Sequence, residues 1–171
     1  MDRYTDRPVS VDDTAWIVDL HGAEHVRPFV VTPSELDVHT ALERGEMEQR
    51  IVLDGAGQRA GLWRAKLHDG WLVTLAAVIS ATPRRGAGRW ALRRALQWAF
   101  EEHGVHRVWL EVTATNAIAR TLYERHGFRW EGTGRDGFRT PDGTFENLCQ
   151  YGMLASEYRA GDAERRRSER A

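Results

Sequence analysis

The chain has 171 residues, 42% of them hydrophobic, and a formal net charge of −1. This is one domain's length with enough apolar residues for a core, and a near-neutral total offers no general attraction to nucleic-acid phosphates or anionic membranes. The charge is uneven: residues 159–171 hold five Arg against three acids, which leaves the preceding body weakly acidic.

In chain order, "RPVSV" (7–11) alternates as a strand. Asp12 then caps a helix that carries Trp16 and Leu20 one turn apart and stops at Gly22. The segment from Thr32 to Gly45 predicts a second helix, with Thr32 as cap, Pro33 at the first helical position and Glu35 closing a capping box. Strands 49–54 and 58–67 flank a hairpin turn at Gly55–Gly57, and "HDG" (68–70) turns into "WLVTLAAVIS" (71–80). That run is almost wholly apolar, as expected of a strand buried on both faces.

The next helix has an apolar side of Leu92, Ala95, Leu96, Ala99 and Phe100 and a polar side of Arg93, Arg94, Gln97 and Glu101. His106–Val112 predicts a central strand. A short helix follows, capped by Thr115 or Asn116 and stopped at Gly127. Two late strands, 128–132 and 144–154, are joined through the turn "TPDG" at 140–143. The order predicts a mixed α/β (α+β) domain over residues 1–158, built on one mostly antiparallel sheet of about seven strands with about four helices. Residues 159–171 predict a polar, flexible tail.

The chemistry concentrates in two places. In "TPRRGAGRW" (82–90), Gly86 and Gly88 allow close backbone approach just before a helix. A helix N-terminus has unpaired N–H groups and partial positive charge, and Arg84, Arg85 and Arg89 add to it. The loop is therefore either a pyrophosphate cradle or a tight turn with solvated arginines. No Lys-Ser or Lys-Thr follows, so it is not a P-loop, and no third glycine stands where a dinucleotide fold needs one.

The second place is "LEVTATNAIARTLYERHGF" (110–128), one helix and one strand later. Asn116, Ala119, Leu122, Tyr123, Glu124, Gly127 and Phe128 form the pattern N…A…LYE…GF. Together with the glycine loop, this resembles the GNAT superfamily of acetyl-CoA-dependent N-acetyltransferases over about residues 5–158. The two ends of the chain resemble the branch containing ribosomal-protein N-terminal acetyltransferases. One departure is Pro83, which stands where that family's loop has Gln or Arg.

The resemblance implies an acyltransferase that moves acetyl from acetyl-CoA to a primary amine, with a protein N-terminal α-amine as the expected acceptor; the alternatives are a small-amine (polyamine or aminoglycoside-type) acetyltransferase and a non-catalytic CoA-binding sensor. It implies a pyrophosphate on the backbone amides of Arg84, Arg85, Gly86, Ala87, Gly88 and Arg89. The pantetheine arm would lie in a splay between the strands ending near Ser80 and Val112, touching Asn116. Residues 23–34 and part of the late hairpin would wall the acceptor side. Tyr123 would protonate the leaving thiolate, since a phenol with pKa near 10 keeps its proton at neutral pH. Its alternative role is core packing against Ala119. Glu111 is the candidate base. As a carboxylate in an apolar strand it would be buried, with a raised pKa, unless it pairs with an arginine or a water chain serves instead. Asn116 is a pantetheine contact or a plain cap.

Other residues carry less. His21 and His25 lack the carboxylate pattern of a metal site, and no metal is expected. Cys149, the only cysteine, is expected to be structural. It excludes an internal disulfide and, with no apolar signal core at the N-terminus, points to a cytoplasmic protein. No run nears the roughly 18 apolar residues of a membrane span. No membrane and no nucleic-acid partner is expected, and a homodimer is left open.

Overall fold

The computed structural model describes residues 3–168 in backbone and 3–164 in side chain. Seven strands form one sheet in the order β1-β2-β3-β4-β5-β7-β6. They are β1 (Tyr4–Pro8), β2 (Glu48–Asp54), β3 (Arg59–His68), β4 (Leu72–Ser80), β5 (Arg107–Thr113), β6 (Arg129–Arg139) and β7 (Phe145–Leu154). The helices are α1 (Thr14–Gly22), α2 (Glu35–Arg44), α3 (Ala87–Gln97), α4 (Ala117–Arg125) and α5 (Ala155–Ser168). All neighbours are antiparallel except β4 and β5. This is the mixed sheet expected from the sequence, with α5 as a fifth helix running into the segment read as a polar tail.

Each face of the sheet has its own core. Strand alternation sends Val52, Trp63, Ala65, Val73 and Leu75 to one side, where the apolar stripe of α3 (Ala91, Leu92, Ala95, Leu96) covers them. Ile51, Leu62 and Ile79 face the other side against Ile17 and Leu20 of α1 and Val38 of α2. Full burial of each such aliphatic side chain stabilises by about 1.5–3 kcal/mol. Phe100 and Tyr158 stack at 4.7 Å, and the Tyr158 hydroxyl donates to Glu101 at 2.7 Å, which ties α5 to the π-helical turn Trp98–Glu102 that follows α3.

Several boundaries differ from the sequence reading. β1 covers Tyr4–Pro8, and Val11–Asp13 form a 3-10 turn. The reason is Asp13: its carboxylate pairs with Arg7 and Arg59 and accepts from the Ser10 backbone, folding the chain back where alternation alone suggested a strand. The cap of α2 is Ser34, not Thr32. The Ser34 hydroxyl accepts from the Asp37 amide at 3.2 Å, and the Ser34 amide donates to the Asp37 carboxylate at 2.8 Å. The Thr32 hydroxyl is spent elsewhere, on the His21 carbonyl at 3.4 Å.

β4 is not buried on both faces. Val73, Leu75 and Ile79 are buried, but Ala76 is exposed at a bulge against β3. β5 pairs with β4 only through Leu72–Arg107, Val73–Val108 and Thr74–Trp109. Beyond Thr74 the two strands separate, and the sheet opens.

Candidate active site

The opening between β4 and β5 is flanked by the two helices that follow those strands. α3 begins where β4 ends. Gly86 takes a left-handed φ of 95°, which favours glycine, and its carbonyl accepts the first helical bond from Trp90 at 3.0 Å. No side chain caps α3, whereas Ser34 caps α2 and Asn116 caps α4. The first-turn amides of α3 therefore have no intrahelical acceptor and, among the described residues, no side-chain cap in its place. Arg84, Arg85 and Arg89 surround them, all exposed and none in an ion pair among the described residues. The Tyr4 hydroxyl donates to the Arg85 carbonyl at 2.6 Å and holds the loop against β1. Ala87 is buried and Gly88 faces Ser80, so the loop's polar content is its backbone and its arginines. Such a site fits a doubly charged pyrophosphate.

α4 begins where β5 ends. Asn116 Oδ1 accepts from the Ala119 amide at 3.1 Å, leaving its side-chain NH2 to donate outward. Tyr123, about two turns on, is 7% exposed and packs edge-on against Phe128 at 5.7 Å. It belongs to the same core cluster as Leu110 and Val112 of β5. Its hydroxyl makes no hydrogen bond among the described residues, and burial pushes its pKa up to about 12. It remains a protonated donor with no acceptor assigned. α4 is held to β7 by Tyr151, whose hydroxyl donates to Glu124 at 2.6 Å and accepts from Arg120 Nε at 3.2 Å.

Glu111 departs from expectation. It is exposed rather than buried, because it points from β5 to the sheet face opposite Val108, Leu110 and Val112, and no helix covers it there. Gln150, its register partner on β7, donates to Glu111 Oε1 at 3.1 Å. Trp109 shares that face. Neither Gln150 nor Tyr151 stood out in the sequence, since only the β5–β7 register brings them under Glu111 and Tyr123. Two surface depressions lie elsewhere. One of about 520 Å³ sits at the C-terminal end of α4 beside Phe128 and Glu157, the other of about 440 Å³ beside Arg7 and Arg59. Among the described residues no cluster of metal-ligating side chains occurs, and no helix is long and apolar enough to cross a membrane.

An uncapped, glycine-led helix after β4, a parallel pair that splays, and a tyrosine on the helix after β5 form one connected arrangement. The model of the acetyltransferase (GNAT) family matches residues 19–128, nearly two-thirds of the chain. The chain belongs to the GNAT acetyltransferase family. A ribosomal protein bS18-alanine N-acetyltransferase of Escherichia coli K12 is 45% identical over 60 residues, 35% of this chain and 40% of that protein. The match thus spans well under half of that relative. Among solved structures, a spermidine N-acetyltransferase from Vibrio cholerae, in complex with CoA and spermine, superposes with TM-score 0.79 at 20% identity, covering 91% of this chain and 98% of that one. A ribosomal-protein-S5-alanine acetyltransferase from Vibrio fischeri gives TM-score 0.74 at 14% identity, covering 92% and 96%. At these identities the solved structures establish the GNAT fold and leave the acceptor open.

Proposed function

We propose that this GNAT protein transfers the acetyl group of acetyl-CoA to a primary amine, and that the acceptor is a protein N-terminal α-amine. The observation that carries the cosubstrate assignment is the α3 N-terminus, with Gly86 at positive φ, no side-chain cap and three exposed arginines that make no ion pair among the described residues. The amides of residues 84–89 would hold the pyrophosphate, and the β4–β5 opening would take the pantetheine arm beside Asn116.

The amine, once neutral, attacks the thioester carbonyl carbon and a C–N bond forms. The tetrahedral intermediate collapses as the C–S bond breaks. Tyr123 gives its proton to the thiolate and regains one from solvent. The proton lost by the amine passes to Glu111, oriented by Gln150, or to an ordered water. The acceptor preference follows from how much base each amine needs. An α-amine with pKa near 7.8 is about one in seven neutral at pH 7, whereas an amine near 10.4 is about one in 2,500. A solvent-exposed carboxylate such as Glu111 suits the less demanding acceptor.

Calorimetry with acetyl-CoA tests the cosubstrate site. Wild type binds, and Gly86→Glu abolishes binding, because it places a carboxylate against the phosphates and a side chain at φ 95°. Heat of binding unchanged in Gly86→Glu defeats the assignment. A screen of free-thiol release over peptides and small amines then identifies the acceptor class.

A further inference from the structure

Arg64 lies on β3, on the same sheet face as Leu62, under the C-terminal end of α1. Its partner there is the fully buried His21. The imidazole Nδ1 sits 2.7 Å from the Ile17 carbonyl, so it carries the proton, and Nε2 accepts from Arg64 Nη2 at 3.1 Å. Burial and the neighbouring guanidinium both lower the His21 pKa, which keeps the ring neutral. Arg64 therefore has a hydrogen-bond acceptor but no counter-charge. No carboxylate lies within ion-pair distance among the described residues, and the Nε group is buried with no acceptor at all. The dipole of α1 offsets part of the charge but supplies no oxygen to Nε. Desolvating a cation costs several kcal/mol, which the His21 acceptor and the helix dipole offset only in part.

The position of this cation gives it a use. Arg64 pairs across the sheet with Ala77, next to the exposed Ala76 bulge where β4 parts from β5. The segment between α1 and α2 passes over this place, fastened by His25 Nε2 to the Ser80 carbonyl at 3.0 Å and by Thr32 to the His21 carbonyl. Arg64 as a whole is only partly buried although its Nε is buried; turned toward that edge, Nε and a terminal nitrogen would present two donors to a ligand. Those two donors match the two oxygens of a carboxylate.

We propose that Arg64 binds a carboxylate on the acceptor, so that the preferred amine carries an acidic group close to it. This rests on the acetyltransferase reading above and narrows it: an acidic peptide N-terminus or an α-amino acid fits, and a polyamine does not.

The test compares free-thiol release from acetyl-CoA with four amines: a peptide with Glu at its second position, the same peptide with Gln, free glutamate, and spermidine. Wild type should favour the Glu peptide or glutamate over the Gln peptide by at least about tenfold in kcat/KM, mainly through KM. The peptide and glutamate arms separate the two sources of carboxylate. Arg64→Gln should bring Glu and Gln peptides within twofold while acetyl-CoA affinity stays unchanged. Arg64→Lys should keep part of the preference, and it carries the test if Arg64→Gln does not fold. Equal wild-type rates on acid and amide, faster turnover of spermidine, or a preference that survives both variants overturns the proposal. If no amine is acetylated although acetyl-CoA binds, the acetyltransferase reading fails. Calorimetry of the Glu peptide on the CoA-loaded protein then decides about Arg64: binding tighter than the Gln peptide and lost in Arg64→Gln supports it, and equal binding overturns it.

Discussion

At the scale of single residues, Asp13 shows how one buried carboxylate fixes a boundary. Its side chain is fully buried and takes bonds from Arg7 at 2.7 and 2.8 Å and from Arg59 at 2.8 Å, joining β1, β3 and the start of α1. The Arg7 guanidinium, chiefly, holds its carboxyl far below the usual carboxylate range. A depressed pKa contributes stability above the unfolded value near 4 and loses it as pH falls. Asp13→Asn should cost about 3 kcal/mol, the lower end for a broken buried pair because both arginines reach solvent. It should also flatten the acid side of the stability curve below about pH 4, as read by urea unfolding at several pH values. The sequence placed an acid at this turn but not its partners. Arg59 is 46 residues away, and only the β1–β2–β3 register brings it near. The same limit applies to Arg64, which stands in "GLWRAKL" at an inward position of the alternation. That placement is a visible signal, but its lack of a counter-ion appears only when the neighbours are in place. For Glu111 the apolar strand around it suggested burial, while the sequence could not say that no helix covers its face.

At the scale of elements, the helices were legible from their periodicity and most strands from the turns that bound them, although β6 runs to Arg139, well past the end expected at 132. The opening of β4 was not legible, because it depends on where β5 stops pairing. A run as apolar as "WLVTLAAVIS" reads the same whether it is covered along its whole length or only in part. One glycine controls this opening from the far side. Gly61 of β3 faces Ser80 in the β3–β4 register, and a Cβ there would lie 2.6 Å from the Ile79 carbonyl oxygen. That atom is backbone and cannot turn aside. Gly61→Ala should therefore push the end of β4 outward and destabilise by about 1–3 kcal/mol, as overpacking does. Because β4 leads directly into the α3 loop, acetyl-CoA affinity should fall together with thermal stability. A loss of stability with unchanged affinity would show that the loop is set by Tyr4 and α3 instead of by β4.

At the scale of the whole molecule, folding and catalysis set different limits on pH, and the two can be separated. Asp13 and the neutral, buried His21 both have depressed pKa values, so the unfolded chain binds more protons in acid and stability falls as pH drops below about 6.5. Tyr123 is raised to about 12, so the unfolded chain loses its proton first and stability falls above about pH 10. Between those limits the fold should be nearly indifferent to pH, and changes in rate there belong to the chemistry. Tyr123 stays protonated throughout that window and can give no alkaline limb within it. The amine must lose its proton, so kcat/KM should rise through the acceptor's own pKa and then level off. For an α-amine the rise centres near 7.8 and a plateau reaches about pH 10, whereas for a polyamine it continues past 10. On the proposed chemistry, Tyr123→Phe should lower the plateau by about 10²–10⁴-fold without moving the rise, since it would remove the thiolate's proton donor and leave the nucleophile unchanged. Full activity in that variant would return Tyr123 to its packing role against Phe128. A rise that shifts with the variant, on an unchanged acceptor, would mean that Tyr123 takes a proton from the amine instead of giving one to the thiolate.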